Sequence, residues 1–198
     1  MPDQSLALGF AEPVRDAQAA FRAAMWALAR PGRSRPVAAD LQPPAPLSPV
    51  AAALVLALAD FETPLWLDPM LAGVPEVARF LRFHTGAPIV AEPELAAFAV
   101  IADAAKLPDF NIFSRGTPDY PDRSATLIVQ VERFTGQGMV LEGPGIQGAI
   151  AFGATPLPAD FINRIKANRA SFPLGVDLLL AGPDAVAGLP RSVRAREG

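Results

Sequence analysis

Ala96–Ala102 (AAFAVIA) and Val176–Ala181 (VDLLLA) decide the fold. Both are short, nearly unbroken apolar runs. A strand with one face in water alternates apolar and polar residues, whereas a run without that alternation belongs in a sheet covered on both faces. Helical patterns interleave with these runs, so helices supply the cover. The expectation is an α/β fold, a three-layer αβα sandwich around a mixed sheet.

Working outward, Pro13–Arg30 reads as a helix with Val14, Ala17, Phe21, Ala24, Met25 and Leu28 on one apolar, inward face. Pro13 suits the first turn, Asp16 suits the positive helix end, and Pro31-Gly32 stop the run. Pro36–Leu41 reads as a short edge strand before a Pro-rich connector. Ser48 as N-cap and Pro49 as first residue open a second helix that runs to Asp60. It is apolar nearly all round, so it is buried on more than one side. Thr63–Leu67 reads as a strand. Pro75–His84 reads as a helix with Val77, Phe80 and Leu81 inward and Arg79 and Arg82 outward.

Residues 103–123 read as a loop carrying the aromatic tip Phe110, Phe113 and Tyr120. Ala125–Arg133 is expected to be a strand paired with Met139–Glu142 as a hairpin across Thr135–Gly138. Pro158–Ser171 reads as a helix with Phe161, Ile162 and Ile165 inward, and Asp184–Leu189 as a further strand. The tail after Pro190 is polar and basic (Arg191, Arg194, Arg196). No repeat or boundary divides the chain, so one domain over residues 1–198 is expected.

Composition narrows the function. The chain has 198 residues, 51% of them hydrophobic and 19% charged, which suits a real core under a low-charge surface that partners would cover. The net charge of -3 argues against a nucleic-acid partner. Basic residues are almost all Arg, with Lys106 and Lys166 the exceptions, and Arg suits interfaces and carboxylate pairing. Cysteine is absent, so disulfides, thiolate metal sites and iron–sulfur clusters are excluded. The N-terminus (MPDQSLALGFAEP) lacks a basic leader pattern, and Val50–Ala59 is too short to cross a bilayer. A cytoplasmic, soluble protein with no membrane partner is expected.

Few residues carry chemistry. Gly143-Pro144-Gly145-Ile146-Gln147-Gly148 matches a G-x-G-x-x-G turn, which in a dinucleotide fold opens a helix that holds pyrophosphate. Here no long helical pattern follows, and a tight glycine turn is the plainer reading. Gly143, Gly145 and Arg82 are the ligand-binding candidates. His84, the one histidine, and Asp177 are the catalytic candidates. A general-base role for His84 needs a nucleophile and an orienting carboxylate, for which Ser124, Asp60 and Asp177 are available. The alternative is a histidine at a negative helix end, with Thr85-Gly86 as exit. Asp177 interrupts an apolar strand, so a salt bridge to Arg82 or Arg191 is expected. No metal site is expected; Asp109, Asp119 and Asp122 read as loop solvation.

Three phrases, in this order and at this spacing, resemble the PhnH family, a component of the bacterial carbon–phosphorus lyase system. They are Phe10–Gly32 (FAEPVRDAQAAFRAAMWALARPG), Arg82–Pro88 (RFHTGAP) and Phe172–Leu180 (FPLGVDLLL). LADFETPLWL (58–67), Ala125-Thr126-Leu127, Leu141 with Gly143–Ile146 and LPRS (189–192) extend the likeness over nearly the whole chain. The resemblance implies a fold like the large domain of pyridoxal-phosphate-dependent transferases, with no cofactor. In agreement, neither Lys106 nor Lys166 sits in a recognisable cofactor motif. It also implies a homodimer that docks with subunits G, I and J in phosphonate catabolism. That system transfers an alkylphosphonate to ribose C1 of a nucleoside triphosphate and expels adenine. A free-standing nucleotide- or phosphonate-binding protein or enzyme is the alternative, and a pyridoxal-phosphate enzyme with an unusual lysine is a third.

Overall fold

The computed structural model describes residues 8–198. Residues 1–7, part of the stretch read as lacking a leader and of the one-domain expectation, lie outside the described residues. The elements run α1 (Pro13–Ala29), β1 (Ser34–Pro36), α2 (Pro49–Leu58), β2 (Leu65–Leu67), α3 (Pro69–Ala72) and α4 (Pro75–Thr85). They continue with β3 (Ile89–Val90), β4 (Phe98–Ile101), β5 (Thr126–Gln130), β6 (Arg133–Glu142) and β7 (Ile150–Thr155). The last are α5 (Phe161–Ala170), β8 (Asp177–Ala181), β9 (Ala185–Leu189) and β10 (Arg194–Glu197).

Among the described residues, a mixed seven-stranded sheet has the order β1-β9-β8-β5-β4-β2-β3. β8, β5, β4, β2 and β3 are parallel, and β9 and β1 close one edge antiparallel. The apolar runs that announced a covered sheet are β4 and β8, separated by β5. Successive side chains go to opposite faces. Val100, Ile128 and Leu179 enter the core under α1, α2 and α4. Ala99, Ile101, Leu127, Val129, Leu178 and Leu180 enter the core on the other side.

That other side corrects the simple αβα expectation, because its cover is mixed. It combines α5, through Phe161 and Ile165, with the 103–123 segment and a three-stranded sheet ordered β10-β6-β7. The segment is no free loop: Phe110 and Phe113 are buried, with Phe113 edge-on to Trp66, while Tyr120 is exposed.

The expected hairpin between Ala125–Arg133 and Met139–Glu142 does not form. Both edges of β5 are taken by parallel neighbours, β4 and β8, so β6 has nowhere to pair there. β6 turns away and pairs with β7 and, through Arg194–Glu197, with β10, the tail read as merely polar. The edge strand near Pro36 also moves upstream to Ser34–Pro36, since its partner β9 ends the register at Ala185 opposite Pro36.

Helix starts follow local chemistry. Ser48 Oγ accepts from Ala51 N at the head of α2. Asp16 reaches back to accept from Glu12 N at 2.9 Å. α4 exits through Gly86 at φ 73°, a left-handed value that glycine adopts without cost, and buries Val77, Phe80 and Leu81 as expected.

α1 is rotated relative to its expected face. It buries Ala20, Ala23, Ala24 and Ala27 and leaves Val14, Phe21 and Met25 exposed. The cause is close backbone approach. A Cβ at Gly188 of β9 would lie 2.6 Å from the backbone of Ala27, so α1 comes closest to the sheet on its alanine side.

Candidate functional site

Ligands of open α/β sheets gather beyond the carboxyl ends of the parallel strands, at the point where strand order reverses. Here that point lies at β2, because β3 and β4 follow it on opposite sides. Asp68, directly after β2, fills this place. Its carboxylate accepts from Leu71 N and from Ala102 N, both at 2.9 Å, so it caps α3 and ties the ends of β2 and β4 together. It is buried. The Asp68-Pro69 pair was a readable helix-start signal that sequence reasoning missed.

Beside it, beyond the ends of β4, β5 and β8, lies a cavity of about 530 Å³ lined by Ser48, Met70, Asp103, Gln130, Glu132 and Pro183, among others. Gln130 is fully engaged, accepting from Ser48 N at 2.7 Å and donating to Pro46 O at 3.0 Å. The ionisable groups on this lining are Asp103 and Glu132, with no Lys or Arg among the lining residues. Phosphates and phosphonates seek guanidinium, ammonium or clustered N–H donors, so this cavity is electrostatically wrong for them.

A second cavity, about 310 Å³, separates α5 from residues 109–115 and is lined by Asn111, Arg115, Asn163, Arg164 and Ser171 with Asp109. Its Arg164 is already spent. Nε pairs with Asp160 at 2.9 Å, and Nη1 donates to Leu107 O at 2.6 Å. The Arg164 hydrogen bond in turn holds the Asp160 carboxyl below the usual carboxylate range.

The sequence candidates separate into distinct places. Asp177 meets Arg191, not Arg82: Nη2–Oδ2 is 2.6 Å and Nε–Oδ1 is 3.1 Å. Arg191 also donates through its backbone N to Asp177 Oδ1 at 2.7 Å, through Nη1 to Pro121 O at 2.7 Å, and through Nη2 to Ser124 Oγ. Thus Ser124 and Asp177 do come together, but around a guanidinium. Both sit at the amino ends of parallel strands β5 and β8, opposite the end where ligands bind. Arg191 was one of the two partners the sequence offered, and the buried strand position of Asp177 was the signal.

His84 packs edge-on to Phe80, with centroids 4.6 Å apart, and to Phe83 at 5.0 Å. Gly9 sits close against its ring, where a Cβ would come within 2.7 Å of Nδ1. Asp60, the other carboxylate offered to it, accepts from Thr63 Oγ1 at 2.7 Å and from Glu62 N at 2.9 Å. The Thr63 contact, then the Glu62 one, lowers the Asp60 pKa. Arg82 is exposed on α4.

The glycine turn joins β6 to β7, so a strand follows it where a dinucleotide loop needs a helix. Gly143 and Gly145 have φ of 141° and 80°. A Cβ on Gly145 would fall 2.1 Å from Ala29 O, so the turn packs against the end of α1. Lys106 pairs with Asp103 at 3.4 Å with its side chain largely in solvent, and Lys166 is exposed on α5. Among the described residues no group of three acidic or histidine side chains is arranged to hold a metal ion, and no helix is long and apolar enough to cross a membrane.

Comparison with known proteins settles the family. Residues 8–196 match the family model "Bacterial phosphonate metabolism protein (PhnH)". The chain belongs to the PhnH family. A relative from Rhizobium meliloti (strain 1021), "Alpha-D-ribose 1-methylphosphonate 5-triphosphate synthase subunit PhnH", is 41% identical over 186 residues, covering 93% of this chain and 92% of the relative. A second, from Stutzerimonas stutzeri, is the "Putative C-P lyase subunit protein HtxG", 32% identical over 176 residues, covering 88% of this chain and 83% of the relative. As a PhnH-family chain, it has relatives whose names describe subunits of larger assemblies.

Proposed function

We propose that this protein is an accessory subunit of the carbon–phosphorus lyase core complex in organic phosphonate catabolism. It supports the step that transfers an alkylphosphonate to ribose C1 of a nucleoside triphosphate with loss of adenine. The observation that carries this reading is the match to a subunit of the corresponding synthase along 93% of the chain. Geometry supports a non-catalytic role. Ser124 and Asp177 are both engaged by Arg191, so neither is set out as a nucleophile or as an orienting carboxylate, and His84 packs edge-on to Phe80. The cavity at the carboxyl end of the sheet carries carboxylates rather than anion-binding groups.

The same reading makes the chain one PhnH-like unit over residues 1–198. Its fold is that of the pyridoxal-phosphate-dependent transferase large domain without the cofactor, it is a cytoplasmic homodimer, and its partners are subunits G, I and J. The solvent-exposed placement of both lysines supports the cofactor-free reading, since a Schiff-base lysine needs a closed pocket.

Deleting the gene and growing the host on methylphosphonate as the phosphorus source tests the function. Loss of growth restored by the wild-type gene is expected. Undiminished growth of the deletion strain would overturn the proposal.

A further inference from the structure

The outer half of α1 displays what a soluble surface normally hides. Val14, Phe21 and Met25 are 74%, 47% and 39% exposed. At 3.6 residues per turn they form one ridge along the helix. Arg15, Arg22 and Trp26 form the ridge beside it. The tight approach to Gly188 explains why alanines face inward, but it does not require large apolar residues outside, where polar ones would serve solubility better.

The apolar ridge is bordered by unmatched positive charge. Arg30 and Arg35 hold their guanidiniums 5.4 Å and 5.5 Å from the centroid of the Trp26 ring, joining the end of α1 to edge strand β1. Arg22, Arg30, Arg33 and Arg35 are all exposed, and none of the ion pairs among the described residues includes them. Residues 17–39 contain these four arginines and no Asp or Glu. Of the chain's 17 basic and 20 acidic residues, that leaves thirteen basic against twenty acidic elsewhere. The arginine face is therefore opposite in sign to the rest of the molecule.

From this charge and shape we infer that the outer face of α1, with the β1 edge, docks a different protein subunit that presents an apolar ridge bordered by carboxylates. The inference rests on the assembly reading above and gives it a surface and a partner chemistry. A second copy whose two-fold axis passes through the arginine end of this face would set four arginines against four, which like-charge repulsion opposes. An acidic-bordered partner would match the arginines while covering Phe21 and Met25, the arrangement of an interface with an apolar centre and polar rim.

The test is capture of subunits G, I and J from the same organism by the full-length tagged chain, at low and high salt. The variants are Phe21→Glu and the double change Arg22→Glu with Arg33→Glu; Lys166→Glu, on the opposite layer, is the control. Thermal midpoints confirm folding, and hydrogen exchange of residues 14–35 is followed with and without partners. Expected are capture about tenfold weaker or worse in both test variants, unchanged capture in the control, and slowed exchange over 14–35 in the complex. Unchanged capture by both folded variants overturns the inference. So does a Phe21→Glu change that splits a dimer of the isolated chain while capture persists, which would make a second copy the occupant. Binding of duplex DNA lost in the arginine variant with capture intact would equally overturn it. If the wild-type chain captures no subunit, the assembly reading itself falls.

Discussion

The Arg191 guanidinium grips the Asp177 carboxylate through two bonds, Nη2–Oδ2 at 2.6 Å and Nε–Oδ1 at 3.1 Å, while its remaining donors reach Pro121 O and Ser124 Oγ. One side chain thus ties the turn after β9 to the first residue of β8, to the residues before β5 and to the 103–123 segment. The side chains are only 14% and 20% exposed. Breaking a largely buried pair costs more than making it gains, because the survivor keeps its desolvation cost.

Asp177→Asn is therefore expected to lower unfolding free energy by about 2 kcal/mol, seen as a lower urea midpoint at unchanged m-value. Arg191→Lys is expected to destabilise too, since a point charge cannot reproduce the fork. Unchanged stability in Asp177→Asn would rule out a structural role for the pair.

Asn168, buried on α5, completes the start of β8 as a strand neighbour would. It accepts from Val176 N at 3.0 Å and donates to Val176 O at 2.8 Å. Asn168→Leu leaves two buried backbone groups without these partners, so a loss of about 2–3 kcal/mol in denaturant unfolding is expected. Asn168→Asp keeps only the acceptor role and should also be destabilised.

Gly145→Ala should destabilise without touching any ligand. The added methyl meets Ala29 O, and φ of 80° is unfavourable for alanine. A thermal midpoint lowered by several degrees is expected, consistent with about 1–2 kcal/mol. Calorimetric titration with a nucleoside triphosphate should be flat for the wild type, which separates packing from a phosphate-binding turn.

Acid should loosen the contact between α5 and the 103–123 segment. The Arg164 hydrogen bond depresses the Asp160 pKa below its ordinary value. A carboxyl whose folded pKa is lowered contributes stability above its unfolded pKa and loses it as pH falls through the folded one. The Asp160 contribution is thus intact at neutral pH, begins to fall near about pH 4, and is lost as pH drops through the lowered folded pKa. It is small because the group faces solvent. Wild type and Asp160→Asn should differ slightly in thermal midpoint at neutral pH and converge in acid. An equal gap at both would contradict the assignment.

How much was legible follows local chemistry. The continuous apolar runs of β4 and β8, the Ser48-Pro49 start of α2 and the Thr85-Gly86 exit of α4 each have a short-range cause, and each stands where it was read. The hairpin across 135–138 was misread because β5 pairs with residues about fifty positions away, from Thr126 opposite Asp177 onward, and no local pattern reports that. β7 and β10 were missed because IAFGAT lacks strict alternation and RARE buries only Ala195. In α1 both stripes are apolar. Periodicity reports a helix but cannot choose between an alanine face and a Val-Phe-Met face; the contact with Gly188 chooses. At the candidate sites, Asp177 was readable as a paired buried acid. The gathering of Ser124, Pro121 and Arg191 around it depends on three separate turns.

His84→Ala tests whether the one histidine does chemistry. The ring fills space between Phe80, Phe83 and Gly9. A modest loss of stability with full support of growth on methylphosphonate is expected. Loss of growth by a folded, assembled variant would return His84 to the catalytic candidates.

Native mass spectrometry of this chain co-expressed with subunits G, I and J tests the central claim most directly. A stable complex containing this chain is predicted. A chain that remains apart while the other three assemble would contradict the account.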